Sequence, residues 1–229
     1  MSNPELYEEM VRLTRRGEPF AVAAILLAAG KSRRMGSCKQ LLPLGGTTVI
    51  GRCLDTLVAA GIDEIVVVVS PEGHGVAQAA RQYPLKVVIN NSAEADMASS
   101  VRAGRDALSR GGSGTIVALC DYPLVAASTV ECLVRHHKEA PGCIVIPTHA
   151  GRRGHPVLFP HCVLDELTSE LTLRDLTRRD PSRVRCVDVD DRGVLLDMDT
   201  PEDYRRICGA ILQDDEFLLP QILQADPLS

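Results

Sequence analysis

The chain has 229 residues, enough for one large domain at roughly 150 residues per domain, and its 45% hydrophobic and 24% charged residues are those of a folded globular protein. A net charge of −5 excludes a broad nucleic-acid or anionic-membrane surface, so any anion site must be local. Trp is absent and aromatics are 3%, which leaves Ala, Val, Leu and Ile to build the core, as in a parallel sheet covered by helices.

In chain order, residues 4–16 read as a short amphipathic helix with Leu6, Met10 and Leu13 on one side, punctuated by Gly17 and Pro19. Residues 1–20 are therefore an appendage, 21–212 the main domain and 213–229 a tail that is first acidic and then apolar. Ala21–Ala28 is a fully buried strand that runs into a Gly- and basic-rich loop, Gly30–Lys39. Thr48–Ala60 is a helix ended by Gly61. Glu64–Ser70, with four valines, is a second strand; Glu72–Gln82 a helix; Lys86–Asn90 a third strand; Met97–Leu108 a helix. Thr115–Cys120 is a fourth strand ending at Asp121-Tyr122-Pro123, and Ser128–His137 is a helix. Cys143–Pro147 and His155–Phe159 are strands whose short spacer allows an antiparallel hairpin. Leu171–Arg179 is helical, Val184–Val189 a strand, and Pro201–Leu212 the last long helix. This alternation predicts an α/β fold, a Rossmann-like open mixed β-sheet with helices on both faces.

Eight cysteines, at 38, 53, 120, 132, 143, 162, 186 and 208, include no CxxC pair and several lie in apolar runs, which reads as free thiols used as small hydrophobes. The polar residues 1–19 are unlike a secretory signal, and the longest apolar run, Phe20–Ala29, is too short to span a bilayer. The expected compartment is the cytoplasm. His136 and His137 on a helix, His74 and His149 in turns, and His161 after Pro160 read as surface residues.

The loop after the first strand carries Lys31, Arg33, Arg34 and Lys39, four cations within nine residues, behind the small residues Ala28, Ala29 and Gly30. Ligands of open α/β sheets bind beyond the strands' carboxyl ends, and such a loop suits a triphosphate. A solvated basic turn is the alternative. Ile25 stands where a Walker A loop needs its first Gly, and GxGxxG is absent. Asp121, directly after a buried strand, suits either a magnesium ion bridging phosphate oxygens or a turn before Pro123. In Asp197-Met198-Asp199-Thr200-Pro201-Glu202-Asp203, helix capping accounts for 200–203 but not for Asp199. Asp96 reads as the cap of the helix from Met97.

The run LAAGKSRRMGSCKQLLPLGG closely resembles the signature of the nucleotidyltransferases of molybdenum cofactor maturation, and the likeness extends over residues 22–208. The Ala28-Ala29-Gly30 form is similar to the cytidylyl branch, where guanylyl relatives show Ala-Gly-Gly. The resemblance implies a nucleotidyltransferase (GT-A-like) architecture in which Leu27 and the backbone of Ala28–Gly30 frame the base. It further implies that Arg34 meets the outer phosphates and Lys39 the phosphate under attack. Asp121 and Asp199 would hold Mg²⁺, with Asp197 in reserve. Asn90 and Ser100 match positions that hold the nucleotide, and Gly154-His155-Pro156, beside Arg152 and Arg153, matches an acceptor-binding element. Tyr122 stands where the family has Gln or Met, and Asp96 where it has Gly.

The implied catalytic set is Lys39, Asp121 and Arg34, and the implied reaction is transfer of CMP from CTP to the phosphate of molybdenum cofactor. CTP and molybdenum cofactor are then the substrates, and a molybdoenzyme is a candidate partner, with no nucleic acid and no membrane involved. Two rivals are transfer from another donor or to another acceptor (GTP, sugar phosphate, phosphocholine) and a non-catalytic molybdenum cofactor chaperone.

Overall fold

The computed structural model describes residues 21–30, 35–92, 96–109 and 112–222. The helix expected over 4–16, the loop cations Lys31, Arg33 and Arg34, and the tail from 223 lie outside them. The elements run β1 (Val22–Leu27), β2 (Pro43–Leu44), β3 (Thr47–Thr48), α1 (Val49–Ala59), β4 (Ile65–Val69), α2 (His74–Ala80), β5 (Lys86–Ile89), α3 (Met97–Ala107) and β6 (Gly114–Leu119). There follow α4 (Ala127–Glu139), β7 (Ile144–His149), β8 (Arg152–Arg153), β9 (Val157–Pro160), α5 (His161–Leu164), α6 (Leu173–Arg179), β10 (Val184–Asp188) and α7 (Pro201–Ile222).

The apolar runs resolve into strands because their side chains divide between two faces. Ala24 and Leu26 of β1, Val67 and Val69 of β4, Ile116 of β6 and Leu158 of β9 form one core with α1, α2, α4 and the start of α7. Ile25, Val66, Val68, Val117 and Phe159 form a second core with α3, α5 and α6. Helices thus cover both faces, as the alternation predicts. Close packing at the second face has a local cause: a Cβ on Gly104 of α3 would lie 2.5 Å from Ile25 Cγ2, so only glycine lets this helix settle on the sheet.

The sheet order is β10-β7-β9-β6-β1-β4-β5, with β8 paired to β7. β1, β4, β5 and β6 are mutually parallel, while β9 is antiparallel to both β6 and β7, which makes the sheet mixed. The chain winds outward from β1 through β4 to β5 and then returns to the other side of β1 as β6. β1 and β6 therefore flank the topological switch point, where such sheets bind ligands at their carboxyl edge.

Three local readings change. The last helix does not stop at Leu212 but runs to Ile222, so the stretch set apart as a tail begins as its continuation; no Gly or Pro interrupts Gln213–Leu219, and its acidic-to-apolar change is not a helix stop. A small hairpin, β2–β3, turns at Gly45 (φ 57°) and Gly46 (φ 77°), a glycine pair suited to the left-handed turn of a two-residue loop. His137 is not a surface residue. It is fully buried at 0% exposure, with Nε2 3.2 Å from Ser113 Oγ, because α4 turns it toward the start of β6. His161 is likewise half-buried. Cys53 and Cys120 sit in the core, whereas Cys38 and Cys186 are exposed.

Candidate active site

The carboxyl ends of β1, β4, β5 and β6 open onto a cavity of about 620 Å³. Leu27, Ala29, Gly30, Asn90, Ser100 and Asp121 line it, so the separated sequence motifs converge there. Its wall also includes Ser70, Pro71 and Glu72 after β4, which the sequence reading did not single out.

Lys39 begins a short 3₁₀ turn, Lys39–Leu41, and is buried at 8% exposure. Its Nζ donates to Asp121 Oδ2 at 3.1 Å, to Asp199 Oδ1 at 2.9 Å and to the Met198 carbonyl oxygen at 3.0 Å. Burial opposes the charged form, but the two carboxylates outweigh it and raise the Lys39 pKa above its ordinary value. The ammonium is fixed as a cation between two acids 78 residues apart in sequence. The Met198 N–H donates to the Asp121 carbonyl oxygen at 2.8 Å, which stitches the two acidic loops together.

The cap of α7 explains how Asp199 comes to face inward. Asp203 Oδ2 accepts from the Thr200 N–H at 2.9 Å and from its hydroxyl at 2.7 Å, and Thr200 Oγ1 accepts from the Asp203 N–H at 3.2 Å. This reciprocal cap occupies Thr200 and Asp203 and turns Asp199, the residue before it, toward Lys39. Asp197 is not among the groups bonded to Lys39; its charge falls on Tyr122.

The residues on the β1 and β5 side of the cavity are held by side-chain hydrogen bonds. Gln40, 2% exposed, donates from Nε2 to the carbonyl oxygens of Ala28 (3.2 Å) and Gly30 (2.8 Å) and so fixes the loop leaving β1. Nothing in the local sequence points to Gln40 beside Lys39, because a bond spanning ten or twelve residues leaves no local signal. Ala28 is itself buried and contributes backbone only. Asn90 donates from Nδ2 to the hydroxyls of Ser99 and Ser100, both at 2.9 Å, and its Oδ1 accepts from the Ser92 N–H at 3.0 Å. It organises the β5–α3 loop. Asp96 caps α3 as expected: Oδ1 accepts from the Ser99 N–H at 2.7 Å, and Ser99 Oγ accepts in return from the Asp96 N–H at 3.1 Å.

The Gly154-His155-Pro156 element lies apart from this cavity, against Tyr122. A Cβ on Gly154 would come within 2.3 Å of the Val194 carbonyl oxygen, which accounts for this glycine by packing. The His155 and Tyr122 rings are 5.0 Å apart and tilted by 51°. His155 Nδ1 is buried without a hydrogen-bond partner among the described residues. Burial lowers the His155 pKa, against the pull of Asp121. Burial, then Asp197, Asp121 and Asp199, push the Tyr122 phenol up to about 12, so it stays protonated. Arg152 and Arg153 are exposed on the two-residue strand β8.

Two carboxylates sharing one cation present hard oxygen donors, which fit a divalent ion better than a soft one. Among the described residues no three His, Cys, Asp or Glu side chains gather as a complete metal cage. A two-carboxylate site that leaves positions for phosphate oxygens is the way such ions are held beside nucleotides.

A buried lysine bonded to two acids stands at the switch point of the sheet, and the enzyme is a nucleotidyltransferase. The family profile named MobA-like NTP transferase domain matches residues 24–184, and the chain belongs to that family. Nicotine blue oxidoreductase of Paenarthrobacter nicotinovorans is 30% identical over 198 residues, covering 81% of this chain and 96% of that protein. Purine catabolism protein PucB of Bacillus subtilis is 29% identical, covering 84% and 98%. The crystal structure of Rv0371c from Mycobacterium tuberculosis has a TM-score of 0.71 at 31% identity, covering 82% of this chain and 98% of that one. A second structure of Rv0371c, in complex with manganese, has a TM-score of 0.66 at 28% identity, covering 82% of this chain and 98% of that one. No helix among the described residues is long and apolar enough to cross a membrane.

Proposed function

We infer that this enzyme transfers CMP from CTP to the terminal phosphate of a molybdopterin-type molybdenum cofactor and releases pyrophosphate. The observation that carries the reading is Lys39 held between Asp121 and Asp199, at 3.1 and 2.9 Å, beside the cavity on the carboxyl edge of β1 and β6. Asp121 and Asp199 would hold Mg²⁺, which when bound supplies positive charge to the phosphate oxygens. Lys39 offsets charge at the phosphorus under attack, and Arg34 serves the outer phosphates. Leu27, Ala29 and Gly30 seat the nucleoside, with Asn90 and Ser100 shaping the far wall. The Gly154–Pro156 turn and His155 serve the acceptor.

An acceptor phosphate oxygen forms the new bond to the α-phosphorus, and the bond from that phosphorus to the bridging oxygen breaks as pyrophosphate leaves. A phosphate monoester has its second pKa near 6, so the nucleophile is already largely dianionic at neutral pH and no base need remove a proton. The acceleration comes from positioning and fixed charge. Eight thiols, two of them packed in the core, suit a reducing compartment, the cytoplasm.

The test is a pyrophosphate-release assay comparing CTP with GTP, each with Mg²⁺ and molybdenum cofactor. Release with CTP that requires the cofactor supports the reading; release only with GTP or with another phosphorylated acceptor changes donor or acceptor. Nucleotide binding without release favours a chaperone. The likeness to a protein named an oxidoreductase favours one further rival, reduction of a conjugated acceptor. That chemistry gives the Lys39 cluster no task, and a colour change of such an acceptor that consumes an added hydride donor such as NADH, without pyrophosphate, would support it.

A further inference from the structure

Two side chains stand beside the Lys39 cluster without joining it. Tyr122 follows Asp121, is half-buried, and its hydroxyl makes no hydrogen bond among the described residues. The Asp197 carboxylate likewise makes no hydrogen bond or ion pair among the described residues. The two are neighbours in space. Of the three carboxylates whose charge reaches the Tyr122 phenol, Asp197 acts most strongly, ahead of Asp121 and Asp199.

Tyr122 is held firmly. Its N–H donates to the Leu119 carbonyl oxygen at 3.1 Å, and its side chain packs on the first core. The His155 N–H donates to the Val194 carbonyl oxygen at 3.0 Å, and the two rings form a tilted pair 5.0 Å apart. The space behind them, lined by Cys53, Thr56 and Leu57, amounts to about 20 Å³, room for one water and no more. A ligand ring therefore has its place on the solvent side of the pair. That place suits an acceptor. β6 leads into Asp121, with the cavity to one side over β1, β4 and β5, and with β9, which follows His155, on the other. A phosphate at Lys39 and Asp121 thus stands between the cavity and the ring pair.

We propose that Tyr122 and Asp197 recognise the ring of the acceptor, a flat conjugated nitrogen heterocycle that lies against Tyr122 and donates N–H groups to the Asp197 carboxylate. An aromatic side chain takes the face of such a ring by stacking. An ionised carboxylate only accepts hydrogen bonds, so it selects an edge rich in N–H and refuses one that presents a carbonyl oxygen. The proposal rests on reading the enzyme as one that transfers CMP to a pterin-bearing acceptor. It gives the ring to two residues outside the Gly154–Pro156 turn, one of which, Tyr122, stands where the family has Gln or Met.

The test is equilibrium binding of two phosphate-free probes to the full chain, followed by their own fluorescence. Pterin carries an amino group and a ring N–H on one edge; lumazine has the same shape with a carbonyl in place of the amino group. The wild type should bind pterin at least about tenfold tighter than lumazine, because a carbonyl set against Asp197 leaves two acceptors without a donor. Asp197→Asn should remove most of that ratio, since an amide can also donate, and should leave CTP binding with Mg²⁺ unchanged. Tyr122→Gln should weaken both probes by about tenfold, and Tyr122→Phe, which keeps the ring, by less than about threefold. Binding of neither probe to the wild type, equal binding of the two, a ratio unmoved in Asp197→Asn, or undiminished binding to Tyr122→Gln overturns the proposal. Loss of CTP binding in Asp197→Asn makes that residue a metal ligand and overturns it too. Pterin binding that follows the variants while the wild type releases no pyrophosphate leaves the ring site standing and removes the cytidylyl-transfer reading instead.

Discussion

Asp199 Oδ1 accepts from Lys39 Nζ at 2.9 Å, while Thr200 closes the helix cap with Asp203 and Asp199 joins that cap only through its backbone N–H, which donates to Asp203 Oδ2 at 3.3 Å. Two adjacent residues thus have separable tasks. Asp199→Asn should lower pyrophosphate release by about 10²–10³-fold, the range for loss of one preorganised electrostatic group, with little change in stability. Thr200→Ala should cost about 1 kcal/mol, as lost caps do, with a much smaller effect on turnover. Release assays paired with urea denaturation check both. Equal damage to turnover by the two variants would merge the tasks and remove Asp199 from the site.

Lys39 supplies the positive charge that Asp121 and Asp199 share, and its removal leaves two facing carboxylates. Lys39→Ala should therefore lose about 2 kcal/mol of stability without added metal, since one partner of a largely buried ion cluster is gone. Mn²⁺ or Mg²⁺ should then raise its melting temperature more than that of the wild type, because the ion replaces the missing charge by mass action. Thermal melts with and without metal decide it. A variant that gains no more from metal than the wild type shows that the two acids do not bind an ion together.

Gln40 is the part of the site that the sequence concealed. Its amide bridges the Ala28 and Gly30 carbonyl oxygens, one of them buried. Gln40→Ala should raise the nucleotide KM by about tenfold while kcat changes less, because the loop loses its fixed shape and no reacting group is touched. A kcat loss equal to that of Lys39→Ala would place Gln40 in the chemistry instead. The contrast with Asp199 explains what was legible. Asp199 stands out because capping rules account for residues 200–203 but not for it, and the family resemblance supplies its role, with Asp197 left as the reserve. Gln40 offers no such remainder.

The same limits apply to the fold. The apolar runs around Ile25, Val67 and Val117 announced buried strands, and their alternation with helices announced the layers. The order of strands was not readable, because β9 enters between β6 and β7 through pairings such as Thr115 with Phe159 that local periodicity does not encode. Nor was the burial of His137, which depends on how α4 is rotated against β6 rather than on its own helical pattern.

That buried histidine sets a pH dependence away from the site. Burial, aided by nearby His161 and partly opposed by the Ser113 bond, lowers the His137 pKa from 6.5 to about 4. Above pH 6.5 neither the folded nor the unfolded chain holds this proton, and stability is insensitive to it. Between pH 6.5 and 4 the unfolded chain takes up a proton that the folded one refuses, so stability falls as pH falls. The loss is complete below about pH 4 and amounts to roughly 3 kcal/mol at 1.36 kcal/mol per pH unit. His161, whose pKa burial also lowers, acts in the same direction. His137→Gln should be less stable than the wild type at pH 8, through imperfect packing at Gly114, yet should lose less on acidification. Urea denaturation at pH 8, 6.5 and 5 gives the slopes. Parallel wild-type and variant slopes would mean that the acid sensitivity resides in other groups and that His137 titrates alike in both states.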